Sequence, residues 1–150
     1  MSRPAIFRPP PPHNEPVLGY EPGSPERAEV QARLGEMAKE PIEIPVVIGG
    51  EEIRTGDTFD AVMPHDKERV LAHVHKAGAA EVDRAVAASA EAWEDWHRLP
   101  WEERAAVFLR AAELLSGPWR STLVAATMLN QSKTVHQAEI DAACEVIDFW

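Results

Sequence analysis

Cys144 is the single cysteine of the chain, and an ionised thiol is a strong side-chain nucleophile. It lies inside an apolar helical stretch, Ala142-Ala143-Cys144-Glu145, where an adjacent carboxylate raises a thiol pKa instead of lowering it. That context assigns it to the packed interior and not to catalysis. His73 and His75 alternate along a strand-like run, so both can face one way, and His65 stands nearby, which is the beginning of a metal site. No cysteine or carboxylate completes a ligand spacing around them, and they read as strand-surface histidines. Ser132-Lys133-Thr134 has the ending of a phosphate-binding loop, but such a loop needs glycine amides close to the phosphate, and no glycine stands between Pro118 and Thr134. His136 and Glu139 fall within the apolar arc of the last helical segment. A carboxylate placed there needs a partner from another segment, as a salt bridge or a cap.

The elements that would position these groups begin with a proline-rich arm. Residues 1–23 carry Pro9 to Pro12, Pro16 and Pro22 with few large apolar residues, which favours extended polyproline backbone. Ser24-Pro25 then supplies a cap and a first-turn proline, and Val30, Leu34 and Met37 recur at helical spacing up to Pro41. Ile44 to Ile48 reads as a strand, Gly49-Gly50 as a tight turn, and Glu51-Glu52-Ile53 as the return strand. Phe59 to Met63 and Arg69 to His75 are further strands joined by Pro64-His65-Asp66-Lys67, so the region is expected to form a small antiparallel patch.

Beyond Gly78 the pattern is helical. Val82, Val86, Trp93 and Trp96 form one stripe, and Pro100 opens a second helix with Val107, Ala111, Leu114 and Leu115 inward. Ser116-Gly117-Pro118 ends that helix before a third with Leu123, Val124 and Met128. Trp93, Trp96, Trp101 and Trp119 are expected in the core and at interfaces. From Thr134 to Trp150 the apolar positions spread over more than half the helix circumference, leaving only Asp141, Glu145 and Asp148 as a solvated stripe. This helix wants neighbours on several sides. It stops on Phe149-Trp150 without glycine, asparagine or a basic last turn, so truncation is the expectation.

Composition bounds the partners. Twenty-five acidic against 15 basic residues give a formal charge of −10, which disfavours nucleic acid and anionic membranes. No apolar run reaches the roughly 18 to 20 residues that span a bilayer. With one cysteine and 45% apolar residues, a soluble cytoplasmic protein of one domain is expected.

Three blocks resemble the L-glutamate γ-semialdehyde (1-pyrroline-5-carboxylate) dehydrogenase group of the aldehyde dehydrogenases. They are the run from Ile44 to Gly56, the run from Arg104 to Pro118, and the run from Lys133 to Phe149 (KTVHQAEIDAACEVIDF). Ser132 stands where that family usually has glycine, and the proline-rich arm is expected to have no family counterpart. The resemblance implies an α/β aldehyde dehydrogenase-like fold for the full protein, of which this chain is a mostly helical part with a small antiparallel β patch. It implies residues 24–150 as the N-terminal part of an NAD-binding domain, NAD as cofactor, L-glutamate γ-semialdehyde as substrate and a homo-oligomer. In such enzymes a cysteine thiolate attacks the aldehyde, hydride passes to NAD and a glutamate-activated water releases the acid, while an asparagine and a backbone amide hold the oxyanion. All of these groups are expected beyond Trp150, so no catalytic, cofactor-binding or metal-ligating role falls to Cys144, Glu139 or Asn130. If Met1 is the true start, no fusion to a proline dehydrogenase is expected. The readings that compete with an enzyme fragment are a helical binding module and a non-catalytic scaffold subunit.

Overall fold

A computed structural model describes residues 6–150, and the expectation of an extended arm over Met1 to Ala5 lies outside the described residues. The described part of the arm, up to Glu21, has no regular secondary structure and ends in a turn at Pro22-Gly23. Helix α1 (Pro25–Met37) starts where the sequence says it should, because the Ser24 hydroxyl accepts a hydrogen bond from the Arg27 amide and Pro25 occupies the first turn.

The strand region departs from a single antiparallel patch. Strand β1 (Ile42–Ile44) is separated from β2 (Val46–Ile48) by Pro45, so the run from Ile44 to Ile48 is two strands in two different sheets. A proline has no amide to give to a ladder, which is why the break falls there. β2 pairs antiparallel with β3 (Glu51–Ile53) across Gly49 and Gly50, whose φ angles of 60° and 83° make the turn that other residues resist. β4 (Thr58–Met63) and β5 (Asp66–His75) form an antiparallel pair, and β5 begins three residues earlier than Arg69. β1 joins the other side of β5 in parallel, giving the order β1-β5-β4. A parallel neighbour depends on where α1 returns the chain, which strand periodicity does not encode.

Helices α2 (Ala79–Trp96), α3 (Trp101–Ser116) and α4 (Arg120–Gln131) follow the sequence expectation closely. The last helix is less regular. α5 (Val135–Ala138) and α6 (Glu145–Phe149) are joined by a π-helical segment, Glu139–Cys144. Thr134 and Gln137 form a capping box that starts it.

The core sits where the arm, α1, α4 and the α5 end meet. Tyr20, Val30, Val124, Ala138 and Ala143 are buried there, with Leu18, Leu34, Met128 and Val135 packed around them. The tryptophan stripe is not core. Val82, Val86, Trp93, Trp101 and Trp119 are each at least half exposed, and neither α2 nor α3 has a buried residue. α2 instead turns a row of alanines inward, with Ala85 and Ala88 half-buried and Ala88 close to Gly49 of the hairpin. A small-residue face permits close approach to a hairpin, so the larger apolar side chains are left on the opposite side. Val107 of α3 is likewise exposed, and His136, Ile140, Phe149 and Trp150 are exposed on the last helix.

Candidate functional site

Among the described residues, the place where charged side chains are buried together is the junction of the arm with α4 and the π segment. Glu139 is fully buried (0% exposed) and Arg120 nearly so (7%). The Glu139 carboxylate accepts hydrogen bonds from the Tyr20 hydroxyl at 2.7 Å and the Leu18 amide at 2.8 Å, and it forms an ion pair with the Arg120 guanidinium. Arg120 also pairs with Glu15 and donates to the Pro16 carbonyl at 2.7 Å. The Glu15 amide donates to Asp148 of α6 at 2.7 Å. Five contacts, at Glu15 (two), Pro16, Leu18 and Tyr20, therefore fasten residues 15–20 to three elements far away in sequence. Tyr20 itself holds a φ of 53°, a left-handed backbone costing a bulky residue about 1–2 kcal/mol. Its amide on Glu26 at 3.2 Å, its carbonyl on Arg27 at 3.1 Å and its hydroxyl on Glu139 over-determine that conformation.

The electrostatics follow from this geometry. Burial alone would raise the Glu139 carboxyl, but the Arg120 hydrogen bond, the Leu18 amide and the Tyr20 hydroxyl together hold it below the ordinary carboxylate value. Burial and the facing Glu139 carboxylate push the Tyr20 hydroxyl up. Arg120 is held above its usual value by Glu139 and Glu15, which outweigh its burial.

Cys144 lies against the same cluster, 3.5 Å from an Arg120 nitrogen, 3.7 Å from Glu139 and 3.9 Å from the Pro16 carbonyl. Burial, then the Glu139 carboxylate, raises its pKa, with Arg120 opposing. The sequence places the offending carboxylate at Glu145. In the structure Glu145 is exposed and the carboxylate is Glu139, because the π segment carries it under the thiol. Burial and a raised pKa disfavour the thiolate form that a nucleophile needs. The cluster is a clamp, with every buried polar side-chain atom among the described residues hydrogen-bonded.

The remaining sequence candidates are dispersed. His73 pairs with Asp60 at 2.7 Å, and His75 with Glu43 at 2.7 Å while accepting from the Gly56 amide at 3.2 Å. His65 lies elsewhere, 2.7 Å from the Ser132 hydroxyl. Among the described residues no group of three or more His, Cys, Asp or Glu is placed to hold a metal ion. Lys133 is paired with Asp141 at 2.7 Å. Ser132 takes the left-handed conformation that ends α4, with φ 55° and ψ 31°, which explains why glycine suits this position. The partnership of Glu139 with another segment was legible from its place on an apolar arc. Arg120, its partner, was missed, because next to Trp119 and Ser121 it reads as an ordinary first-turn residue.

Sequence comparison places the clamp and its scaffold in a class. The profile of the aldehyde dehydrogenase family matches residues 52–150, and the chain belongs to that family. Its relatives share a narrower name. The chain is 48% identical over 147 residues to delta-1-pyrroline-5-carboxylate dehydrogenase of Agaricus bisporus, covering 97% of this chain and 27% of that one. It is 47% identical over 140 residues to the mitochondrial delta-1-pyrroline-5-carboxylate dehydrogenase of Dictyostelium discoideum, covering 93% and 25%. The crystal structure of delta-pyrroline-5-carboxylate dehydrogenase from Mycobacterium tuberculosis bound with NAD superposes with a TM-score of 0.96 at 51% identity, over 99% of this chain and 28% of that chain. The chain thus spans about a quarter of the length of the relatives it matches. The proline-rich arm falls inside these alignments, so it does have a family counterpart, contrary to the expectation from sequence.

Proposed function

We propose that this chain is the N-terminal part of the NAD-binding domain of an enzyme that oxidises L-glutamate γ-semialdehyde, the open form of 1-pyrroline-5-carboxylate, to L-glutamate in proline degradation. The observation that supports this reading most is the near-complete superposition on a pyrroline-5-carboxylate dehydrogenase at 51% identity. Residues 1–23 serve as the arm and 24–150 as the scaffold. NAD supplies the hydride acceptor when bound to the whole protein. We infer that the dinucleotide cradle is built elsewhere in the whole protein, a reading supported among the described residues by Gly78 at the start of α2, whose amide goes to the Glu81 carboxylate at 2.8 Å, and by Gly49 and Gly50, which turn a hairpin and do not open a helix.

The part the chain does perform is positional. The clamp at Glu139 and Arg120 fixes α4 against α5 and α6, and the exposed faces of α2 and α3 are left for later elements of the same domain. We place the protein in the cytoplasm, on its acidic balance and single cysteine, as a homo-oligomer without nucleic-acid or membrane partners. No helix among the described residues is long and apolar enough to cross a membrane.

The test is NADH formation by the full-length polypeptide beginning with these residues. Activity with 1-pyrroline-5-carboxylate far above that with acetaldehyde or succinic semialdehyde is the expected result. Equal or greater activity on an unrelated aldehyde would overturn the substrate, and no dehydrogenase activity on any would overturn the reaction.

A further inference from the structure

The last helix breaks its α-helical pairing where its sequence gives no reason to. Over Glu139–Cys144 the backbone is π-helical, and at its end the Glu145 amide reaches back to the Ile140 carbonyl, five residues away instead of four. The segment Glu-Ile-Asp-Ala-Ala-Cys holds no glycine or proline, and alanine is the strongest α-helix former. Its π pairing is therefore selected by tertiary contacts.

Those contacts explain what the bulge achieves. Glu139 and Asp148 are nine residues apart, which in an uninterrupted α-helix puts them about 180° from each other. One inserted residue brings that angle down to about 80°, and it brings Cys144 from about 140° to about 40° from Glu139. The arm uses this rearranged face. The Leu18 amide and the Tyr20 hydroxyl bond Glu139 at the start of the bulge, at 2.8 and 2.7 Å. The Pro16 carbonyl lies 3.9 Å from the Cys144 thiol at its end, and the Glu15 amide donates to Asp148 beyond it at 2.7 Å. Arg120 ties the two sides, pairing with both Glu139 and Glu15. A straight α-helix would turn Asp148 away from the arm.

We propose that residues 15–20 are a strap that holds the π segment, so that the arm sets the face α6 presents. With the strap lifted, Glu139–Cys144 returns to α-helical pairing and Glu145–Phe149 turns by about 100° against α3, on which α6 packs. The coupling is reciprocal, and whatever straightens the segment releases the arm. Both halves of the device lie among the described residues, so it depends neither on the assigned reaction nor on what covers the exposed helix faces.

The experiment is native-state hydrogen exchange on the full-length protein in increasing denaturant, read by mass spectrometry on peptides from residues 15–20 and 140–145. Wild type is compared with Asp148→Ala and with a variant lacking Ala142, which takes the extra residue out of the bulge. Expected in the wild type is one opening shared by the two peptides, ahead of the opening of α4. Asp148→Ala, at an exposed position, is expected to speed exchange in both peptides by about threefold or more. In the deletion variant the helix peptide gains protection while chymotrypsin cleavage after Leu18 and Tyr20 rises. An arm that opens while the helix peptide stays protected, a pair that exchanges only when α4 does, or a deletion variant whose arm resists cleavage as the wild type does would overturn the strap. The wild-type and Asp148→Ala results decide the matter by themselves if the deletion variant fails to fold, and none of these outcomes bears on NADH formation.

Discussion

Two regions of this molecule treat their side chains in opposite ways. At the arm junction an arginine, a glutamate, a tyrosine and a cysteine are buried together and each is satisfied by the chain itself. On α2 and α3, Val82, Val86, Trp93, Trp101 and Val107, side chains that would fill a core in most proteins of this size, lie open. The clamp is complete within these 150 residues. The apolar faces of α2 and α3 find no cover among the described residues. Side-chain type therefore does not decide burial here; the number of elements available to converge on a residue does. Glu139 has the arm and α4 around it, whereas Trp93 has only the ring of His97, stacked at 5.4 Å.

The largest expected effect comes from breaking the clamp. Glu139→Ala leaves the buried Arg120 cation short of its main partner, and such a loss costs about 3–5 kcal/mol. Chemical denaturation of the full-length protein measures it, and a loss under 1 kcal/mol would show that the clamp is not a stabilising unit. The same carboxylate gives the clamp an acid limit. Its folded pKa lies below the ordinary value of about 4.3, so its contribution is complete above that value and is lost as pH falls through the folded pKa. Pepsin cleavage between Leu18 and Tyr20 is therefore expected to rise steeply below about pH 4, and Glu139→Gln is expected to remove that step.

Tyr20→Phe probes one strand of the clamp. It deletes a hydrogen bond to a charged group, worth about 1.5–3 kcal/mol, while keeping the ring and the backbone twist. If Tyr20→Phe is as stable as wild type, the left-handed Tyr20 is held by packing alone. Ser132→Gly acts the other way. Glycine relieves the left-handed φ of 55°, and the protein is expected to gain up to about 1 kcal/mol after losing the exposed bond to His65. A loss on thermal unfolding would mean that the Ser132–His65 bond outweighs the backbone strain.

The smallest stability change is expected on the open side. Replacing Val82, Val86 and Trp93 together by serine in residues 1–150 expressed alone is expected to alter stability by no more than about 0.5 kcal/mol, while lowering aggregation and hydrophobic-dye binding. A drop of several kcal/mol would place that stripe in the chain's own core and remove the contrast between the two regions.

Much of the fold was readable from short-range pattern. Ser24-Pro25, Gly49-Gly50, Pro100 and Ser116-Gly117-Pro118 each put an element boundary within a few residues of its observed place, because caps, positive φ and missing amides act locally. The need of Glu139 for a partner was also readable, since a carboxylate on an apolar arc is costly unless paired. The family was recognisable from the three sequence blocks.

Tertiary structure decided the rest. Periodicity along one helix finds its most apolar face but not which face another element will reach, so α2 packed by Ala85 and Ala88 and left Val82, Val86 and Trp93 outside. Strand pattern could not reveal that β1 lies parallel to β5. Nor could a tract of prolines show that the residues just after it enter the core through Tyr20. Caps and turns are settled by a residue and its nearest neighbours, and a sequence states those outright; parallel pairing, the choice of buried face and the Arg120–Glu139 bond join residues far apart in the chain, and only the folded geometry brings them into contact.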